Sequence, residues 1–151
     1  MKSGTRLRLI ILLSILCCKQ FSMLALAQSD FLERNLWFNE EKTSKIQIYK
    51  ATDGKFYAKI VWLKVTEENG KPRTDVNNPD KARQIAPLMG LVILKGFKKE
   101  SDGLYDDGTI YDPKNGKTYS CKITPDGDKI KVRGFVGFSM LGRTTVWTKA
   151  N

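Results

Sequence analysis

The chain has 151 residues, a formal net charge of +10 and no histidine. Without imidazole, Ser-His-Asp and Cys-His catalysis and the usual histidine metal sites are excluded. The length suits a single domain with one core.

At the amino end, Lys2, Arg6 and Arg8 precede an apolar stretch from Leu9 to Cys18, and Ala25-Leu26-Ala27 stands just before Gln28. This is the layout of a secretory signal peptide spanning 1–27 and cleaved after Ala27. The apolar core is about 10 residues, short of the roughly 20 a membrane-spanning helix needs, so a retained anchor is the lesser reading. Lipid attachment at Cys17 or Cys18 is another, disfavoured because a bulky residue or a second Cys precedes each. The expectation is a periplasmic or secreted protein, 28–151, with no transmembrane anchor after cleavage. Removing the leader takes away four cations (Lys2, Arg6, Arg8, Lys19) and no acid, lowering the net charge from +10 to +6. It also leaves Cys121 alone in an oxidising compartment, where no intrachain disulfide can form.

After a lead-in containing Phe31, Leu36, Trp37 and Phe38, Ser44 to Lys50 alternates polar and apolar. Asp53-Gly54 supplies a tight turn, and Lys55 to Val65 returns as a long strand, which predicts a hairpin. From Thr66 to Gly90 the pattern stops. A connection of about 25 residues exceeds the usual structureless length, so it should carry structure of its own. Asn78 before Pro79 predicts a helical cap, with one or two helical turns from Pro79 to about Ile85. Strands resume at Leu91–Phe97 and through Thr109–Asp112, then at Lys117–Ile123, Lys129–Arg133 and Thr144–Thr148, with Asn115-Gly116 and Asp126-Gly127 closing hairpins. About eight strands in sequential order have exposed edges unless the sheet closes, so the predicted fold is all-β, a small antiparallel up-and-down barrel. A two-sheet sandwich is the runner-up.

Three spaced segments, Asp75-Val-Asn-Asn-Pro-Asp, Gly108-Thr-Ile-Tyr-Asp-Pro-Lys-Asn-Gly-Lys-Thr-Tyr, and Val132-Arg-Gly-Phe-Val-Gly with Gly142-Arg-Thr-Thr-Val-Trp, resemble the secreted bacterial family catalogued as domain of unknown function 2147. The likeness runs from Trp37 to Trp147. It implies a compact β-barrel envelope protein and supplies no established activity. More weakly, the chain is similar to lipocalin-like barrels, in which a Trp of the first strand packs on an Arg of the last. That likeness implies a structural clasp between Trp37 and Arg143, although Asn35 stands where those barrels usually have Gly.

Asp75, Asn77, Asn78 and Asp80 gather oxygen atoms suited to a hard cation, but Pro79 takes a ligand slot and no glutamate closes the loop. Turn and cap roles explain them more simply, as they explain Asp106, Asp107, Asp112 and Asp126. A carboxylate-based hydrolase requires Asp75, Asp80 or Asp112 to converge and is the third-ranked reading. Cys121 alternates with Tyr119 and Ile123 and reads as a buried structural thiol. Lys129, Lys131 and Arg133 share one strand face, which Lys117 and Lys122 extend. It reads first as a solvated face and second as a surface that docks on an anionic envelope. Phe56, Trp62, Tyr119 and Trp147 are more simply core than cavity wall.

Ranked first is a non-enzymatic barrel that binds a small apolar or amphiphilic ligand. Loop 66–90 would cover the mouth with Asp75, Asn78, Asp80 and Arg83, while Trp62, Tyr119 and Trp147 would lie within. No catalytic residue, metal or cofactor is implied, and an exported chain without an aromatic binding platform is a poor partner for nucleic acid.

Overall fold

The computed structural model describes residues 30–101 and 103–150, so the leader with Cys17 and Cys18 lies outside the described residues. Ten strands follow in order: β1 (Leu36–Phe38), β2 (Ser44–Lys50), β3 (Phe56–Leu63), β4 (Glu67–Glu68), β5 (Lys71–Pro72), β6 (Val92–Ser101), β7 (Leu104–Asp112), β8 (Lys117–Asp126), β9 (Lys129–Phe135) and β10 (Gly142–Ala150). Eight of them close a barrel in the order β1-β10-β9-β8-β7-β6-β3-β2, with β2 pairing back onto β1. Every pairing is antiparallel. The seam sets Leu36 opposite Ala150 and Phe38 opposite Thr148, so no barrel edge is left for a foreign strand.

The long connection between β3 and β6 has the internal structure its length demands. β4 and β5 form a miniature hairpin, and Lys81–Arg83 make a single 3₁₀ turn. The cap differs from the sequence expectation. Asp80, not Asn78, caps this turn by accepting from the Ala82 amide at 3.0 Å, while the Asn78 side chain accepts from the Asp80 amide at 2.9 Å. Two successive short Asx turns consume the residues a longer helix would have used.

Strand alternation decides what enters the barrel. Ile46 and Ile48 of β2, Phe56, Ala58 and Ile60 of β3, Ile130 and Val132 of β9 and Trp147 of β10 are buried. In β3 the period breaks, because Lys45 pairs with Trp62 while Ile46 pairs with Ile60. Val61 is therefore one residue too many for its partner strand, and this bulge turns Trp62 outward and Leu63 inward.

Packing divides the barrel into two unlike halves. Around the Asp53-Gly54 turn, large side chains fill the bore: Trp37, Phe97, Tyr105 and Ile123 are at most 1 % exposed, and Phe56 meets Tyr105 edge-on at 5.2 Å between centroids. The Phe97 ring lies against Gly108, in the space a Cβ there would take, so only glycine admits the ring at this point of β7. The other half ends in four connections, 39–43, 64–91, 113–116 and 136–141, and its inward positions include the small Ser44, Gly134 and Thr145. Large side chains close one end, and small ones leave the other hollow.

Candidate functional site

The hollow half holds a cavity of about 770 Å³. Its apolar wall comes from the inward positions of six strands: Ile46, Ile60, Ile93, Ile110, Val132 and Trp147. Charged groups of the surrounding connections and strand ends, Glu40, Glu41, Arg73, Asp112, Lys114 and Arg143, form its polar lining. Most are mutually satisfied. Lys114 donates to Glu41 at 2.7 Å, and this hydrogen bond and charge hold the Glu41 carboxyl below its ordinary range. Arg143 donates to Glu40 at 3.2 Å, and the Asp112 carboxylate accepts from the Lys114 amide at 2.9 Å and the Asn115 side chain at 3.1 Å. Arg73, half-buried between the mouth and the long connection, has no carboxylate partner among the described residues.

Of the residues the sequence proposed for a ligand, Tyr119 and Trp147 line this cavity. Tyr119 accepts a hydrogen bond from Asn115 at 3.1 Å, which ties it to the rim. Trp62 does not line it. The β3 bulge leaves it 38 % exposed on the outer face, edge-on to Phe38 at 6.0 Å, with the Lys45 ammonium 5.7 Å from its ring.

The four loop residues also have a different place from the one expected. Asp75 is 1 % exposed and turned into the seam between loop and barrel, where it accepts from the Tyr111 hydroxyl at 2.8 Å and from Asn78 at 2.7 Å. Burial first, then this bond to Asp75, pushes the Tyr111 hydroxyl up to about 12. Asp80 caps the 3₁₀ turn and pairs with Arg83 at 3.4 Å, both side chains being exposed. None of the four lines the cavity. They hold the loop in shape, because a buried carboxylate is stable only when its oxygens are hydrogen-bonded. Asp75, Asp80 and Asp112 are thus each engaged in a turn, a cap or the seam.

A second fixture holds the loop to the β7–β8 turn. The Asn77 side chain donates to the carbonyls of Pro113 at 3.1 Å and Lys114 at 3.0 Å, and Gly116, at φ +70°, lies directly beneath the Asn77 carbonyl. The long connection is therefore a fixed wall of the mouth.

The expected clasp is absent. Trp37 is fully buried, donates to the Leu32 carbonyl at 3.0 Å and meets Phe31 edge-on at 5.5 Å. It stands opposite Lys149, whereas Arg143 stands opposite Gly134 at the other end of β10. Six residues of strand separate the two positions by roughly 20 Å. Phe31 and Leu32 of the lead-in take the role the analogy assigned to the arginine, and Arg143 belongs to the mouth.

Sequence reasoning missed Glu40, Glu41, Arg73 and Lys114, which lie on turns where charge carries no positional signal. One sign of the hollow was legible. Gly134 follows Val132 at strand spacing, which leaves an inward position bare.

Cys121 is 1 % exposed, and burial, reinforced by the charge of Asp106, pushes its thiol up to about 12. Its thiolate is scarce at neutral pH. Peptide mapping after iodoacetamide treatment should find Cys121 unmodified in folded protein and fully modified in denaturant. Equal rates in both states would show that the thiol is accessible.

A family model described as "Uncharacterized protein conserved in bacteria (DUF2147)" matches residues 35–149. The chain belongs to the DUF2147 family. No curated protein matches it. Among solved structures, this DUF2147 barrel is similar to Helicobacter pylori protein HP1028, described as belonging to the lipocalin family, with a TM-score of 0.70 over 82% of this chain and 85% of that one, at 20% identity. At that identity the likeness establishes a shared barrel fold.

Proposed function

We propose that this protein binds a small apolar or amphiphilic molecule in the hollow half of its barrel without transforming it. The observation that carries this reading is the cavity itself. A volume of about 770 Å³ with an apolar interior and a few polar groups at the entrance falls within the usual range of small-molecule sites. The lipocalin-like fold supports it, and the leader sequence supports a periplasmic or secreted setting. Apolar length would lie along Ile60, Ile93 and Val132, and a polar end would rest at the mouth beside Arg73, which has no carboxylate partner among the described residues.

A hydrophobic fluorescent probe should bind saturably at one site. Thr145→Phe, which fills the bore from a half-buried wall position, should weaken it at least about tenfold while leaving the thermal midpoint nearly unchanged, since one lost side-chain contact of 1.4 kcal/mol is a factor of ten. Absence of saturable binding, or equal binding by Thr145→Phe, would remove the reading.

A further inference from the structure

The connection between β9 and β10 exposes Val136 by 68%, Phe138 by 80%, Met140 by 89% and Leu141 by 74%. Single exposed apolar residues are ordinary on protein surfaces, but four within six residues are not. Side chains so exposed touch little of their own chain and form a projection, whose Val136 and Leu141 border the cavity mouth.

Three carbonyls of this projection are satisfied from within. Leu141 donates its amide to the Phe138 carbonyl at 3.0 Å. The Arg133 guanidinium donates to the Ser139 carbonyl at 2.7 Å, to the Met140 carbonyl at 3.2 Å and to the Thr144 hydroxyl at 2.9 Å. A loop entering hydrocarbon must hide its carbonyls, because each unsatisfied group costs several kcal/mol there; Arg133 hides two and stays at the base as a cation.

Charge around the tip is complementary to anionic headgroups. The same end of the barrel carries exposed Lys42, Lys64, Lys71, Lys81 and Lys117 without carboxylate partners among the described residues, against two free acids, Glu67 and Glu68. Turn 39–43 with Lys42 and turn 113–116 leading into Lys117 flank the tip on either side, by strand order. By contrast, the β9 face singled out in the sequence is partly neutralised within the chain, Lys131 by Asp126 at 2.9 Å and neighbouring Lys122 by Asp106 at 2.8 Å.

From these observations we infer that the 136–141 tip inserts into the interfacial layer of an anionic lipid bilayer, seating the barrel mouth-down on the membrane. Arg133 and the ring of lysines meet the headgroups, and the four apolar side chains enter the acyl boundary. The inference does not require a ligand in the cavity.

Flotation with vesicles of phosphatidylethanolamine and phosphatidylglycerol tests it, with phosphatidylcholine vesicles as the neutral control. Wild-type protein should float with the anionic vesicles and less so as salt rises. The variant Phe138→Ser/Met140→Ser/Leu141→Ser, altered only at exposed positions, should keep its thermal midpoint and lose about a hundredfold or more in partitioning, from the apolar area withheld from lipid. Hydrogen exchange on the same vesicles should slow in the peptide covering 136–141, a local readout that no other apolar segment can supply. Failure of the wild type to float, unaltered exchange at 136–141, or a wild-type oligomer that the variant dissolves would each overturn the proposal.

Discussion

Trp37→Ala should destabilise the barrel by about 3–5 kcal/mol, the range for removing a fully buried large aromatic side chain. Trp37 is 0% exposed, its indole donates to the Leu32 carbonyl, and it fixes the three-residue β1 against both β2 and β10. Arg143→Ala should change stability by no more than about 0.5 kcal/mol, as expected of an exposed ion pair. Because Trp37 stands opposite Lys149 and Arg143 lies at the other end of β10, the double variant should be additive within about 0.5 kcal/mol. Urea unfolding of the four proteins decides this. A coupling above about 1 kcal/mol would restore the clasp that the lipocalin likeness suggested.

Gly116→Ala should cost about 2–4 kcal/mol and lower the thermal midpoint by roughly 10 °C. Two effects combine at this residue. At φ +70° an added Cβ costs about 1–2 kcal/mol, and that atom would clash with the Asn77 carbonyl oxygen, so the loop must shift. Gly127, at φ +62° with nothing within 4 Å of an added Cβ, supplies the control. Gly127→Ala should show the conformational cost alone, and the difference between the two variants measures the loop's attachment. Equal losses would mean that the long connection does not depend on this contact.

The architecture was legible because turn chemistry and strand period agree along most of the chain. Asp53-Gly54, Asn115-Gly116 and Asp126-Gly127 mark three hairpins, and alternation places Ile46, Ile48, Ile130 and Val132 inside. The site was less legible. Trp62 was assigned to the interior because period-two reasoning runs straight through Val61, and a bulge is a pairing event between two strands that one strand's sequence does not reveal. Asp75 was assigned to the mouth as a polar loop residue, but its partner, Tyr111, lies 36 residues away on β7. Arg143 was tied to Trp37 by analogy, whereas β10 register sets them apart. In each case the information lies in a long-range contact, which neither local propensity nor motif spacing encodes.

The unequal filling of the barrel also sets where its sequence is free to drift. In the closed half, Phe97 against Gly108 and Phe56 against Tyr105 leave no slack, and a change of even one methylene is felt by neighbours on several strands. Around the hollow, Thr145, Gly134 and Ile110 have open space on one side, so many replacements there alter the shape of the chamber at little cost in stability. A lineage can therefore reshape what the chamber admits by small steps while the stopper of aromatic side chains keeps the scaffold folded. The same polypeptide thus contains a close-packed half and a tunable one, separated only by position along the same strands.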